Sequence, residues 1–205
     1  MHSTLRAASA ALAACLLVLA AACGKGARVQ RPGVGAGSTP VSFNTRPLTP
    51  GFQRYLSQYY PFTLDVPDAW KSEVQPVAAQ YGDKQIALPG NVFTPPDGSG
   101  RITIFALPAG PDDLLDAFAG KLVQELRQSG ATDLHGPEPA TLAGMDARAV
   151  SFHGHTTSGQ EIDGRQWYLV KAERAWVVSV TAPAGTLDSF LQAAKPALDT
   201  LAILG

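Results

Sequence analysis

Two histidines have the spacing most suggestive of chemistry. His153 and His155 stand two residues apart in an alternating run, 147–155, so a strand there sends both imidazoles to one face and Val150 and Phe152 to the other. Two imidazoles on one face supply two ligands of a zinc or copper site, and Glu161 or Asp163, across a hairpin, is placed to supply a third. The spacing is common by chance, and two imidazoles on a solvated sheet face near a loop are the simpler account, so no metal and no cofactor is assigned. Asp112, Asp113 and Asp116 are acidic and close together, but at a predicted helix start they cap free N–H groups and meet the positive end of the dipole. A serine hydrolase needs a nucleophile on a sharp turn, and the Gly-x-Ser-x-Gly pattern does not occur; Ser99 and Ser158 read as turn residues. There is no glycine loop of the phosphate-binding kind. No catalytic residue is assigned. Tyr55, Tyr59, Tyr60 and Trp70 could line a ligand groove, though core and edge packing explains such a group as well.

Cysteine is confined to Cys15 and Cys23, both in the N-terminal apolar segment. From residue 51 onward there is no thiol, which excludes disulfides, thiolate metal sites and cysteine nucleophiles there. His2 and Arg6 precede an uncharged run, 7–22, which as a helix rises about 24 Å, short of a hydrocarbon core near 30 Å. That length predicts a signal peptide over 1–22. The run ends in Leu19, Ala20, Ala21, Ala22, Cys23 and Gly24, which resembles the lipobox of bacterial lipoproteins, with Ala20 where leucine is commoner. Leu12, Ala13, Ala14 and Cys15 match by letters, but they leave the apolar run downstream and are set aside. Cys23 is therefore the expected lipidation site, the alternative being an ordinary signal cleaved after an Ala-x-Ala site. Residues 23–50 read as the lipidated cysteine and a tether rich in Gly, Pro, Ser and Thr, with Lys25, Arg28, Arg31 and Arg46 and no acidic residue. As a flexible coil it spans about 30 Å. The expectation is an exported domain held at the cell membrane or outer membrane through the Cys23 lipid.

All 17 acidic residues fall after residue 50, against eleven Lys and Arg, so the domain is net negative although the whole chain carries only -1. Nucleic acid is thereby excluded as a partner, since its binding rests on cationic contacts to phosphate.

Around these residues the pattern predicts strands at 62–66, 84–88, 91–94 and 101–107, the middle two divided by Pro89 and Gly90. Pro111 and Asp112 are expected to open a helix carrying Leu114, Leu115, Phe118, Leu122, Val123 and Leu126 inward, closed by Gly130. Strands at 140–142, 147–155, 162–171 and 175–182 follow as antiparallel hairpins, the last two the most apolar and hence central. A second helix from about Thr186 turns Phe190, Leu191, Ala194, Leu198 and Leu201 inward, with Pro196 expected to kink or end its first part. The expected domain, 51–205, is α+β: a single antiparallel β-sheet with two main helices packed against it.

Phe62, Pro67 and Trp70, set in the segment from Tyr60 to Trp70, resemble the opening "F-x-x-x-x-P-x-x-W" of PsbP-like domains. The order that follows is similar too, including Ala143, Gly144, Met145 and Asp146 before a strand, and the Trp167-Tyr168 pair. The resemblance covers nearly all of 52–204 and extends to the Mog/PsbP superfamily with its DcrB and LpqN types of envelope lipoprotein. It carries no catalytic residue set. It implies a non-catalytic binding or assembly module with a protein partner, the alternative being a module for a small ligand or a metal.

Replacing Cys23 by alanine is expected to leave the domain folded and to free the protein from the membrane fraction unless the uncleaved apolar run retains it. Intact mass decides: a mature species beginning at Cys23 with the added mass of a diacylglycerol supports the reading, and an unmodified N-terminus sinks it.

Overall fold

Alternation in the segment Trp176, Val177, Val178, Ser179, Val180 gives a strand apolar on both sides, and such a strand is stable only in the middle of a sheet covered on both faces. In the computed structural model, which describes residues 46–81, 84–109 and 114–204, that place is the one it takes. The strands are β1 (Phe52–Leu56), β2 (Phe62–Pro67), β3 (Lys71–Tyr81), β4 (Lys84–Thr94) and β5 (Arg101–Pro108). Helix α1 (Leu115–Gln128) comes next, then β6 (Thr132–Leu142), β7 (Met145–His155), β8 (Glu161–Lys171) and β9 (Arg174–Pro183). Helix α2 (Leu187–Leu198) and the short β10 (Ala202–Ile203) end the order.

Seven strands form one sheet in the order β3-β4-β5-β9-β8-β7-β6, with β9 at its centre and β8 beside it. Every recorded pairing is antiparallel. Ala172 and Glu173, both at positive φ (53° and 56°), make the tight turn from β8 to β9. Trp176 Nε1 donates to the Lys171 carbonyl at 3.0 Å, tying the indole to the far side of that turn.

The expected single sheet is two sheets. β2 lies between β1 and β10 in a separate three-stranded sheet. Both hydrogen-bonding edges of β2 are thus taken, and Phe62, Leu64 and Val66 are fully buried, so the strand lies over the large sheet instead of joining it. Its cross-layer contact is Phe62 on Trp176, ring centroids 6.0 Å apart and perpendicular, with Tyr60 at 6.0 Å on the same indole. Helix α2 packs on β2 and β9, and α1 packs on β6, β7 and β8. The layers are therefore α1, the seven-stranded sheet, and the small sheet with α2.

Other expectations are corrected in detail. The segments 84–88 and 91–94 are one strand, because below Asn91 β4 pairs only with β3, and Pro89 falls where the strand has no second neighbour. Strands β1, β3 and β10, and β6 before Ala140, were not expected. Leu114 is not part of the buried stripe: it is the residue before α1, 72% exposed and without a capping side chain. Pro111, Asp112 and Asp113 lie outside the described residues, as do Cys15 and Cys23. Pro196 falls in the last turn of α2, which ends two residues later. Among the described residues no helix is long and apolar enough to cross a membrane.

Trp176→Ala should empty the space where both sheets meet. The expected loss is about 3–5 kcal/mol, which for a chain of this size lowers the thermal midpoint by about 2–4 °C per kcal/mol. Calorimetry checks it, and a loss below about 1 kcal/mol would place the joint elsewhere.

Candidate functional site

Helix α1 covers β6, β7 and β8, and among the described residues no second helix packs on the other half of the same sheet face. A cavity of about 90 Å³ lies between the helix, the stretch of β3 from Gln75 to Ala78, and the sheet. This is several times what one water needs. Leu122, Glu125 and Leu126 of α1 form one wall, and Phe105, Val177 and Phe152 of the sheet form much of the floor. The polar lining is Gln75, Arg101, Thr103, Gln166, Ser179 and Thr181.

Most of these polar groups are already engaged. Gln166 Nε2 donates to Ser179 Oγ at 3.3 Å, and the Tyr168 hydroxyl donates to Gln166 Oε1 at 2.7 Å. Arg101 Nε donates to Thr181 Oγ1 at 3.3 Å. Burial holds the Arg101 guanidinium below the usual arginine range, with Glu73 working against that shift. Burial likewise pushes the Tyr168 phenol up.

Glu125 is different. It is 8% exposed, and among the described residues neither carboxylate oxygen has a hydrogen-bond partner. Burial raises its pKa, against a smaller lowering by Lys121 one turn earlier. A carboxyl in its protonated form can both donate and accept. Its position follows from helical geometry: 122, 125 and 126 share one face, so the residue lies within the stripe that Leu122 and Leu126 define. The sequence signal was present as an acidic residue three places after Leu122 on an apolar face, and hydrophobic periodicity alone passes over it.

The histidine pair lies on the opposite face of the sheet. His153 is opposite Asp163 and His155 opposite Glu161 in the β7–β8 register. His153 Nδ1 is 2.9 Å from Asp163 Oδ1, and Asp163 Oδ2 accepts the Gly185 N–H at 2.7 Å. The hydrogen bond to Asp163 raises the His153 pKa, and the Gly185 N–H, followed by His153, lowers that of Asp163. His155 Nε2 is 3.9 Å from Glu161 Oε1.

The remaining candidates are not brought to a site. Asp116, three-quarters exposed, pairs with Arg148 of β7. The aromatic group packs: Tyr55 edge-on to Phe93, Tyr60 on Trp176, and Trp70 stacked on Phe190 at 5.9 Å, while Tyr59 is half exposed.

No protein-family model matches the sequence, and no curated protein does. Solved structures align with it. One from Bacteroides thetaiotaomicron has 17% identity and a TM-score of 0.49, over 75% of this chain and 48% of that one, so the chain spans about half its length. The solution structure of the cyanobacterial PsbP, CyanoP, from Synechocystis has 10% identity and a TM-score of 0.49, over 84% of this chain and 98% of that one. LpqN of Mycobacterium tuberculosis, described as involved in cell envelope biogenesis, has 19% identity and a TM-score of 0.39, over 70% and 83% of the two chains. The neighbours thus include the PsbP and LpqN types that the segment from Tyr60 to Trp70 resembles.

Replacing Glu125 by leucine should stabilise the fold by about 1–3 kcal/mol, the cost of a buried polar group left unpaired. The sign with pH follows from the raised pKa. The native state holds this proton longer than the unfolded chain, so wild-type stability falls as pH rises above the ordinary glutamate value of about 4.3. The advantage of Glu125→Leu therefore widens on going from pH 4 upward until the native pKa is passed. Denaturant melts of both proteins across that range check it, and an advantage that narrows would contradict the assignment.

Proposed function

We propose that the domain is a non-catalytic binding module of the cell envelope, held at the membrane through Cys23, that takes a small, mostly apolar ligand between α1 and the large sheet. The observation that carries the reading is the Glu125 carboxyl, buried in the wall of a cavity and left without a partner. Buried polar groups are nearly always paired, and an orphan in the wall of a cavity is accounted for by a partner that enters the cavity. The ligand that fits has an apolar body for Leu122, Leu126, Phe105 and Val177 and one amine or hydroxyl head for Glu125. An ammonium head would form a charge-assisted hydrogen bond with the ionised carboxyl inside the wall.

A protein partner is the second reading. What favours it is the exposure of Leu56 at the end of β1 and Tyr59 on the connection to β2, 48% and 50%.

Titration with n-hexylamine, followed through backbone amide shifts, tests the first reading. Shifts centred on α1 and on the cavity-lining residues of β3, β5, β7, β8 and β9, and lost in Glu125→Leu, are expected; shifts that persist unchanged in that variant, or none at all, would overturn it.

A further inference from the structure

The β7–β8 hairpin brings three metal-ligating groups together on the sheet face opposite the cavity. One ring nitrogen each of His153 and His155 and one carboxylate oxygen of Glu161 lie within 4.8 Å of one another. The two rings are 5.7 Å apart between centroids and nearly perpendicular, at 81°. Zinc bonds of about 2.0–2.2 Å put neighbouring tetrahedral ligands roughly 3.3–3.5 Å apart. Closing the triangle thus takes about an ångström of side-chain movement. His155 and Glu161, more than half exposed, are free to make it.

His153 is the fixed member. Its Nδ1 is held by Asp163, and the other Asp163 oxygen is held by the Gly185 amide, so the carboxylate is anchored at both ends. This is the arrangement that orients a metal-binding histidine: with Nδ1–H given to the carboxylate, the lone pair is on Nε2 and its basicity is raised. Beside it opens a hollow of about 310 Å³ that shares His153 and Asp163 with Ser151, His135 and Asp188. Room for a fourth ligand, water or solute, is therefore present.

We infer that His153, His155 and Glu161 bind one divalent transition-metal ion, with Asp163 as the positioning residue. Two imidazoles and a single carboxylate suit zinc or copper, whereas calcium and magnesium require shells built mainly of oxygen. Three protein ligands leave one position open, the pattern of sites that engage a further molecule.

The test uses the full chain without a histidine tag and Zn²⁺ as probe, in isothermal titration calorimetry. One equivalent is expected. His155→Ala and Glu161→Ala should each weaken binding at least 10-fold, and Asp163→Asn by about 10–100-fold, with circular dichroism unchanged in all three. Ring-nitrogen NMR separates positioning from mere support: the wild type should show metal on His153 Nε2 with Nδ1 protonated, and Asp163→Asn a mixture of tautomers. No Zn²⁺ uptake, wild-type affinity in His155→Ala, or displacement of Zn²⁺ by equimolar Ca²⁺ would overturn the site. A His153 tautomer unchanged in Asp163→Asn would overturn the role of Asp163.

Discussion

Trp176 is the residue on which both sheets depend. It belongs to the central strand of the large sheet, is fully buried, and turns its indole toward the small sheet, where Phe62 and Tyr60 meet it edge-on. Such aromatic pairs contribute about 0.5–1.5 kcal/mol each beyond the area they bury. The small sheet has only three strands, one of them two residues long, and a sheet of that size needs a larger surface to rest on. The indole and its neighbours supply that surface. Trp176 also satisfies its own N–H through Lys171, so the large ring is buried without an unpaired donor.

β2, β10 and α2 cover one face of the large sheet, and among the described residues α1 is the helix on the other. A single helix covers two or three strands, and the sheet has seven. The cavity is a consequence of that mismatch in width, placed where the cover of α1 ends. Filling it with larger side chains would be a small evolutionary change, yet the wall there presents Glu125. An unpaired buried carboxyl costs about 1–3 kcal/mol, a large share of a total stability of about 5–15 kcal/mol. A ligand that completes the carboxyl returns that energy as binding free energy.

How much of this was legible depends on whether a residue's partner was near in sequence. β7, β8 and β9 were read closely, since each turn joins strands that pair with one another, and the shared face of His153 and His155 follows from period two alone. β1 and β10 were missed because each is defined by pairing with β2, and β10 reaches it from the far end of the chain. β3 was missed because an edge strand is half exposed and alternates weakly, with Pro76 interrupting it. The single-sheet expectation failed for a related reason: alternation says that β2 is buried, not which layer it joins. For the metal triad, the sequence placed Glu161 and Asp163 across the hairpin, but only the register pairs one with each histidine.

Asp65 shows how the chain's entry is fixed to this framework. It stands in the middle of β2, with a side chain 2% exposed, and accepts from Arg54 at 2.7 and 2.9 Å and from Arg46 at 3.2 Å. Its own N–H donates to Thr200 Oγ1 at 2.8 Å. The hydrogen bond from Arg54 does most to hold the carboxyl below the usual aspartate range, against the effect of burial. The stability it contributes is present above the ordinary aspartate pKa and lost as pH falls through the lowered native value. The entering chain at Arg46 and β1 at Arg54 thus meet on the Asp65 carboxylate, while Thr200, after α2, bonds the backbone of the same residue. Arg46, one of the cations of the proposed tether, is where that segment meets the domain, on the small-sheet side. The cavity lies on the α1 side of the large sheet, so a domain held by this segment would present the proposed ligand cavity on the side away from its point of attachment.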